Sequence, residues 1–182
     1  TSLGHEVAVD HYLAPGSGPH PAIVLLHGSG GLHLFFGQGI QAYAQALAGS
    51  GYDAFVVHYY DGTDTFIADD DEERKKFFDW VHIVSDAVSW IEKQPTVRPR
   101  QISVLGHSLG AYLAVGVAAA DRRIAAAVIL SGGLDPVLLD SIKRTPPMLI
   151  IHVDRDEVVP ISAELGVARL LFKRRLPSTL RA

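Results

Sequence analysis

The chain predicts an α/β fold: a mostly parallel sheet flanked by helices on both faces. Three observations predict it. Short apolar runs of strand length recur along the 182 residues and alternate with segments of helical period. The runs are continuous rather than alternating, as in strands buried on both faces of a parallel sheet. Turn-rich segments follow the runs, at the carboxyl ends of strands where such folds place their ligand sites.

Each element can be justified in order. Residues 6–13 alternate loosely and end in a Pro/Gly/Ser connector over 14–19. Residues 22–26 form the first buried strand and run into His27-Gly28-Ser29-Gly30-Gly31. Residues 40–48 read as a helix stopped by Gly49-Ser50-Gly51. A second strand covers 52–60 and closes at Asp61-Gly62. The acidic run 69–73 reads as a solvated loop feeding a helix N-terminus, where carboxylates are favoured, rather than as a cation site. A helix then covers 77–93, with Val81, Val84, Val88 and Ile91 on its apolar face, and stops before Pro95. Three further strands are predicted at 102–105, 125–130 and 148–153, with helices at 108–120 and 162–172. Crossovers between parallel strands are right-handed, so helices fall on both faces of the sheet.

Composition narrows the function classes. The length fits one domain over 1–182, with enough chain to bury a sizeable core. A net charge of −4 gives no reason to expect nucleic acid or an anionic membrane as partner, and no apolar run is long enough to span a bilayer. The chain has no cysteine, which removes disulfides, thiolate metal sites and a cysteine nucleophile. Localisation reads as cytoplasmic.

Ser108 is the most informative residue. It lies in Gly106-His107-Ser108-Leu109-Gly110, between the strand ending at Leu105 and a helix opening at Ala111-Tyr112-Leu113. A Gly-x-Ser-x-Gly segment in that context is the sequence form of a nucleophile elbow: a sharp turn that lifts the hydroxyl above the sheet. The helix N-terminus then supplies N–H groups where an oxyanion would form. Leu109 is the expected first oxyanion donor. The second is Ser29 (or Gly30), in the glycine-rich loop after the earlier strand; that loop lacks the Lys-Ser/Thr ending of a phosphate-binding loop. His27 reads as a structural histidine anchoring this loop, and His107 as a poor base. Beyond the strand at 148–153, Asp154 and Asp156 are the candidate acids of a triad, in the chain order serine, acid, histidine.

Taken together, Leu25-Leu26-His27-Gly28-Ser29-Gly30-Gly31, Val56-Val57-His58-Tyr59-Tyr60-Asp61, Gly106-His107-Ser108-Leu109-Gly110 and Asp154-x-Asp156-x-Val158-Val159-Pro160 resemble the α/β-hydrolase superfamily. More narrowly, they resemble its dienelactone hydrolase-like branch of serine esterases, over about residues 5–170. The resemblance implies hydrolysis of a carboxylic ester or lactone through an acyl-serine intermediate. It implies no cofactor and a small-molecule ester as the binding partner, and it favours Asp156 over Asp154 as the acid. The family's namesake carries a cysteine where this chain has Ser108. The family also places a histidine after one more strand, whereas none of the 26 residues after Asp156 is histidine. Residues 165–182 carry five basic residues and no acid, and 172–180 do not read as a strand. The expectation is therefore an α/β-hydrolase domain whose C-terminal strand and histidine loop are missing, its ending truncated or altered rather than a basic tail for a partner. Any base must then be a repositioned His33, His58 or His82. The alternative is a catalytically impaired homologue that retains only a binding pocket. An uncovered sheet edge would favour self-association, with a homodimer as its simplest form.

Overall fold

The computed structural model describes residues 1–134, 142, 144–152, 159, 167–168 and 178–181, with the backbone alone for 34–36 and 178–181. The chain begins with β1 (Val9–Tyr12), β2 (His20–Leu26), α1 (Leu34–Gly49) and β3 (Asp53–Val57). After a single 3-10 turn at Asp61–Thr63 come α2 (Asp70–Ile91), β4 (Val97–His107) and α3 (Leu109–Ala120). β5 (Ile124–Leu130), β6 (Met148–Ile151) and β7 (Ser178–Arg181) follow among the described residues. Among the described residues the sheet's strand order is β1-β3-β2-β4-β5-β6-β7, and only the edge pair β1–β3 is antiparallel.

The two-faced burial that makes the strand runs continuous is visible residue by residue. In β2, Ala22, Val24 and Leu26 point into the core under α2 and α3, while Ile23 and Leu25 point into a smaller core under α1. In β3, Phe55 and Val57 take the first side and Ala54 and Val56 the second. α1 covers its face with Ile40 and Ala44. α2 buries a helical stripe of Phe77, Trp80, Ile83, Val84, Ala87, Val88 and Ile91. α3 is apolar nearly all round, with Ala111, Leu113, Ala114, Val115 and Val117 fully buried. Among the described residues, no helix is long and apolar enough to cross a membrane.

Where sequence and structure differ, local causes are evident. α1 starts six residues before the predicted 40, because two glycines and a His33 cap with no side-chain hydrogen bond hide its start. α2 starts at Asp70, so the acidic run is the helix's first turn. Asp69 caps it, its carboxylate accepting from the Asp71 and Glu72 N–H groups at 3.0 and 2.9 Å. The predicted helix at 162–172 lies outside the described residues except for Val167 and Ala168, and Val167 is buried in the main core. The expectation of a missing last strand is corrected. Ser178–Arg181 pairs in parallel with β6, Met148 opposite Ser178 and Ile151 opposite Arg181. A polar, basic sequence conceals this strand because backbone pairing to a neighbour needs no apolar run.

The topology prepares a crevice. From β2 the chain crosses to β3 on one side, then returns to lay β4 on the other, with Leu26 beside Gly106. The carboxyl ends of β2 and β4 thus flank the point where the strand order reverses, the position at which doubly wound sheets open a ligand crevice.

Candidate active site

Ser108 links β4 to α3 with φ 53° and ψ −123°. An L-residue pays for that positive φ in conformational energy, and the surrounding structure must enforce it. Glycines do so. A Cβ on Gly106 would lie 1.9 Å from the Gly110 carbonyl oxygen, and one on Gly110 would lie 2.3 Å from that of Leu26. The first turn of α3 is therefore pressed against the ends of β4 and β2, leaving no room for side chains beside the serine. The Ser108 N–H still bonds the Leu130 carbonyl at 3.0 Å, and its own carbonyl accepts from Ala111 at 2.8 Å, so the turn is held from both sides. Gly132, after β5, closes the remaining side: a Cβ there would meet that of Ala111 at 2.2 Å and the Ser108 carbonyl oxygen at 3.1 Å.

The loop after β2 faces this turn. A Cβ on Gly28 would stand 3.2 Å from the Ser108 Cβ, so the loop backbone passes directly beside the serine. Leu109, buried at the start of α3, presents a first-turn N–H with no intrahelical partner. Ser29, half-buried, sits one residue beyond the closest approach. The structure thus brings Ser108, Leu109 and Ser29 to one end of the sheet.

The carbonyls of that loop are held by side chains. Tyr59 Oη–H donates to the His27 carbonyl at 2.7 Å, and Tyr60 Oη–H donates to the Ser29 carbonyl at 3.0 Å. His27 Nδ1 lies 2.7 Å from the Gly28 carbonyl, which also accepts from the Gly31 N–H at 3.0 Å. A carbonyl can only accept, so Nδ1 carries the proton. The His27 ring stacks on Tyr59 at 4.1 Å and meets Tyr60 edge-on at 4.6 Å. Burial pulls the His27 pKa down to about 4, partly opposed by the Gly28 hydrogen bond, and leaves the imidazole neutral at pH 7. His27 is an anchoring residue, as its sequence position suggested.

The histidines offered as repositioned bases are occupied elsewhere. His58 Nε2 sits 3.0 Å from Asp10, His82 Nε2 sits 3.5 Å from Asp86, and His33 stacks on Phe66 at 3.9 Å. Among the described residues, no imidazole nitrogen hydrogen-bonds the Ser108 hydroxyl. Asp154 and Asp156 lie outside the described residues. No cluster of three or more potential metal ligands occurs among the described residues. Sequence reasoning missed Tyr59, Tyr60 and Gly132. The tyrosines read as the end of a strand, and only their hydroxyls, placed under the loop, distinguish them from core aromatics.

Comparisons with known proteins agree with this architecture. Mouse acyl-coenzyme A thioesterase 5 is 31% identical over 152 residues, covering 81% of this chain and 32% of its own length. Human acyl-coenzyme A thioesterase 1 is 29% identical over 126 residues, covering 68% of this chain and 26% of its own. The chain thus spans about a third or less of these relatives. Among solved structures, the dienelactone hydrolase-like promiscuous phosphotriesterase P91 from metagenomic libraries superposes with a TM-score of 0.81 at 18% identity, covering 99% of this chain and 77% of that one. Esterase PE8 superposes with a TM-score of 0.78 at 20% identity, covering 97% and 88%. At such identities the superpositions speak for the fold. The sequence profile of the dienelactone hydrolase family matches residues 9–179, nearly the whole chain, and with the strand–serine–helix turn and its facing glycine loop in place, the chain belongs to the dienelactone hydrolase family.

Proposed function

We propose that this chain hydrolyses a carboxylic ester or thioester through an acyl-serine intermediate on Ser108. The observation that carries the reading is the forced turn at Ser108, wedged by Gly106 and Gly110 and apposed to Gly28 across the β2–β4 crevice. In this reading Ser108 Oγ attacks the substrate's carbonyl carbon while a general base takes its proton, and the same group hands that proton to the leaving alcohol or thiol. The oxygen of the tetrahedral intermediate accepts hydrogen bonds from the N–H groups of Leu109 and Ser29. Each such donor typically lowers the barrier by about 3 kcal/mol. Collapse expels the alcohol or thiol, which takes a proton, and water then releases the acid from the acyl-serine. Asp156 is the acid of this reading: it would orient a neutral imidazole as general base and stabilise the imidazolium formed when that base takes the Ser108 proton. The substrate is a small ester that needs no cofactor. Esters are chosen for the family, and thioesters are added because the curated relatives are named as acyl-coenzyme A thioesterases.

A second reading is favoured by one observation, the absence of an imidazole on the Ser108 hydroxyl among the described residues. In it the chain keeps the pocket but turns over poorly, since an unactivated serine hydroxyl is a weak nucleophile. A fluorophosphonate probe and a panel of p-nitrophenyl esters and acyl thioesters separate the two. Stoichiometric labelling lost in Ser108→Ala, with turnover of at least one ester class, supports the first. Slow, incomplete labelling without turnover supports the second. A chain that takes no label overturns the acyl-serine reading.

A further inference from the structure

We propose that His27, Tyr59 and Tyr60 form a positioning triad that fixes, through three consecutive carbonyls, the backbone N–H groups offered to the reacting oxygen. The proposal rests on the reading of Ser108 as nucleophile and of Ser29 as oxyanion donor. In a trans peptide, the C=O of one residue and the N–H of the next point in opposite directions from one rigid plane. Holding a carbonyl therefore aims the following N–H. The His27 carbonyl, held by Tyr59, sets the Gly28 N–H. The Gly28 carbonyl, held by His27 Nδ1 and by the Gly31 N–H, sets the Ser29 N–H. The Ser29 carbonyl, held by Tyr60 and by the Ala68 N–H at 3.0 Å, sets the Gly30 N–H.

The loop needs such external control. Three of its four residues after His27 are glycine, the residue with the widest backbone freedom, and that freedom is required because the loop passes beside Ser108 and under α3. A glycine loop left to itself would sample many orientations of its amides. An oxyanion donor works only when its direction is set before the charge develops. The three side chains are themselves locked. Tyr59 is fully buried and Tyr60 is 4% exposed, the rings pack against one another, and both contact Trp80 in α2. The two tyrosine donors are thus anchored in the main core rather than on the loop, His27 is stacked on Tyr59, and together they transfer the core's rigidity to the main chain of the site.

The test uses the full chain and three variants: Tyr60→Phe, His27→Ala and His27→Asn. Phenylalanine keeps the ring and deletes the donor, and the asparagine amide can donate from near the place of Nδ1. Backbone 15N order parameters of residues 28–30 report the positioning directly, and thermal melts identify any variant that does not fold. We expect the order parameters to fall in Tyr60→Phe and His27→Ala. Fluorophosphonate labelling of Ser108 and kcat should fall roughly tenfold in both, with KM little changed, as for weakening one oxyanion donor. His27→Asn should recover most of the loss. If loop amides and labelling rates in folded Tyr60→Phe match the parent chain, the proposal is overturned alone. It is also overturned if the amides loosen while labelling is unaffected. A parent chain that takes no label overturns the acyl-serine reading, and this proposal falls with it.

Discussion

At the scale of single residues, the site shows where conformational strain is concentrated. Ser108 holds φ 53° although it is not glycine. Ser108→Gly is expected to raise unfolding stability by about 1 kcal/mol, read from the urea midpoint, while abolishing probe labelling. Stability that falls instead would mean that the turn is not strained. His27 carries a second residue-scale prediction. Its pKa of about 4 in the folded chain lies below the ordinary 6.5, because burial opposes the charged ring. Above pH 6.5 neither state takes up this proton, and the full stability is present. Between 6.5 and 4 only the unfolded chain protonates, so stability is lost as the pH falls, by about 3 kcal/mol in all. Urea unfolding at pH 7 and pH 4 should show the gap between the two shrinking by about that amount in His27→Asn. An unchanged gap would place the acid sensitivity elsewhere.

At the scale of elements, α2 concentrates charge at its start for a structural purpose. Asp69 caps it, Lys76 reaches Glu72 at 3.0 Å and Thr65 at 2.8 Å, and Trp80 Nε1 bonds Thr63 Oγ1 at 2.8 Å. These contacts tie the helix to the 3-10 turn and the loop beneath the site. Glu73 is the exception. Half-burial, with Asp70 and Asp69 close by, lifts its pKa to about 7 from 4.5. Its raised value means that stability is full below 4.5 and is lost as pH rises through 7, opposite in sign to His27. Glu73→Gln should therefore raise the melting temperature at pH 8 and leave it nearly unchanged at pH 4, and an equal change at both would refute that account. The same helix shows what was legible in the sequence. The 3.6-residue period places its apolar stripe, but the acidic run reads as a loop ahead of the helix, whereas Asp69 is the cap and residues 70–73 are the first turn. The start was still set at 77, because charged residues in a first turn carry no apolar period. Ser108, Leu109 and Ser29 were legible because glycine spacing after an apolar run encodes backbone crowding. The roles of Tyr59 and Tyr60 were not, because a hydroxyl's partner 31 or 32 residues away leaves no trace in spacing.

For the molecule as a whole, β7 decides how the sheet ends. It pairs along β6 and so covers backbone groups that an edge strand would expose. A chain ended after residue 177 should bare that edge and self-associate, which light scattering behind size exclusion would register; a monodisperse shortened chain would show that β7 guards nothing. The glycine contacts at Gly28, Gly106, Gly110 and Gly132 carry a different consequence, for how such a protein can change over generations. The reactive centre is built from main chain at near-minimal spacing, so neither the serine turn nor the facing loop can accept a side chain unless the other moves as well. Variation is left to the surroundings: His33, and the exposed Phe66 and Ile67, whose neighbour Ala68 is tied to Ser29. A change at those outer positions is expected to leave the serine turn as it is, whereas an added side chain at Gly106 or Gly110 displaces both walls of the crevice together.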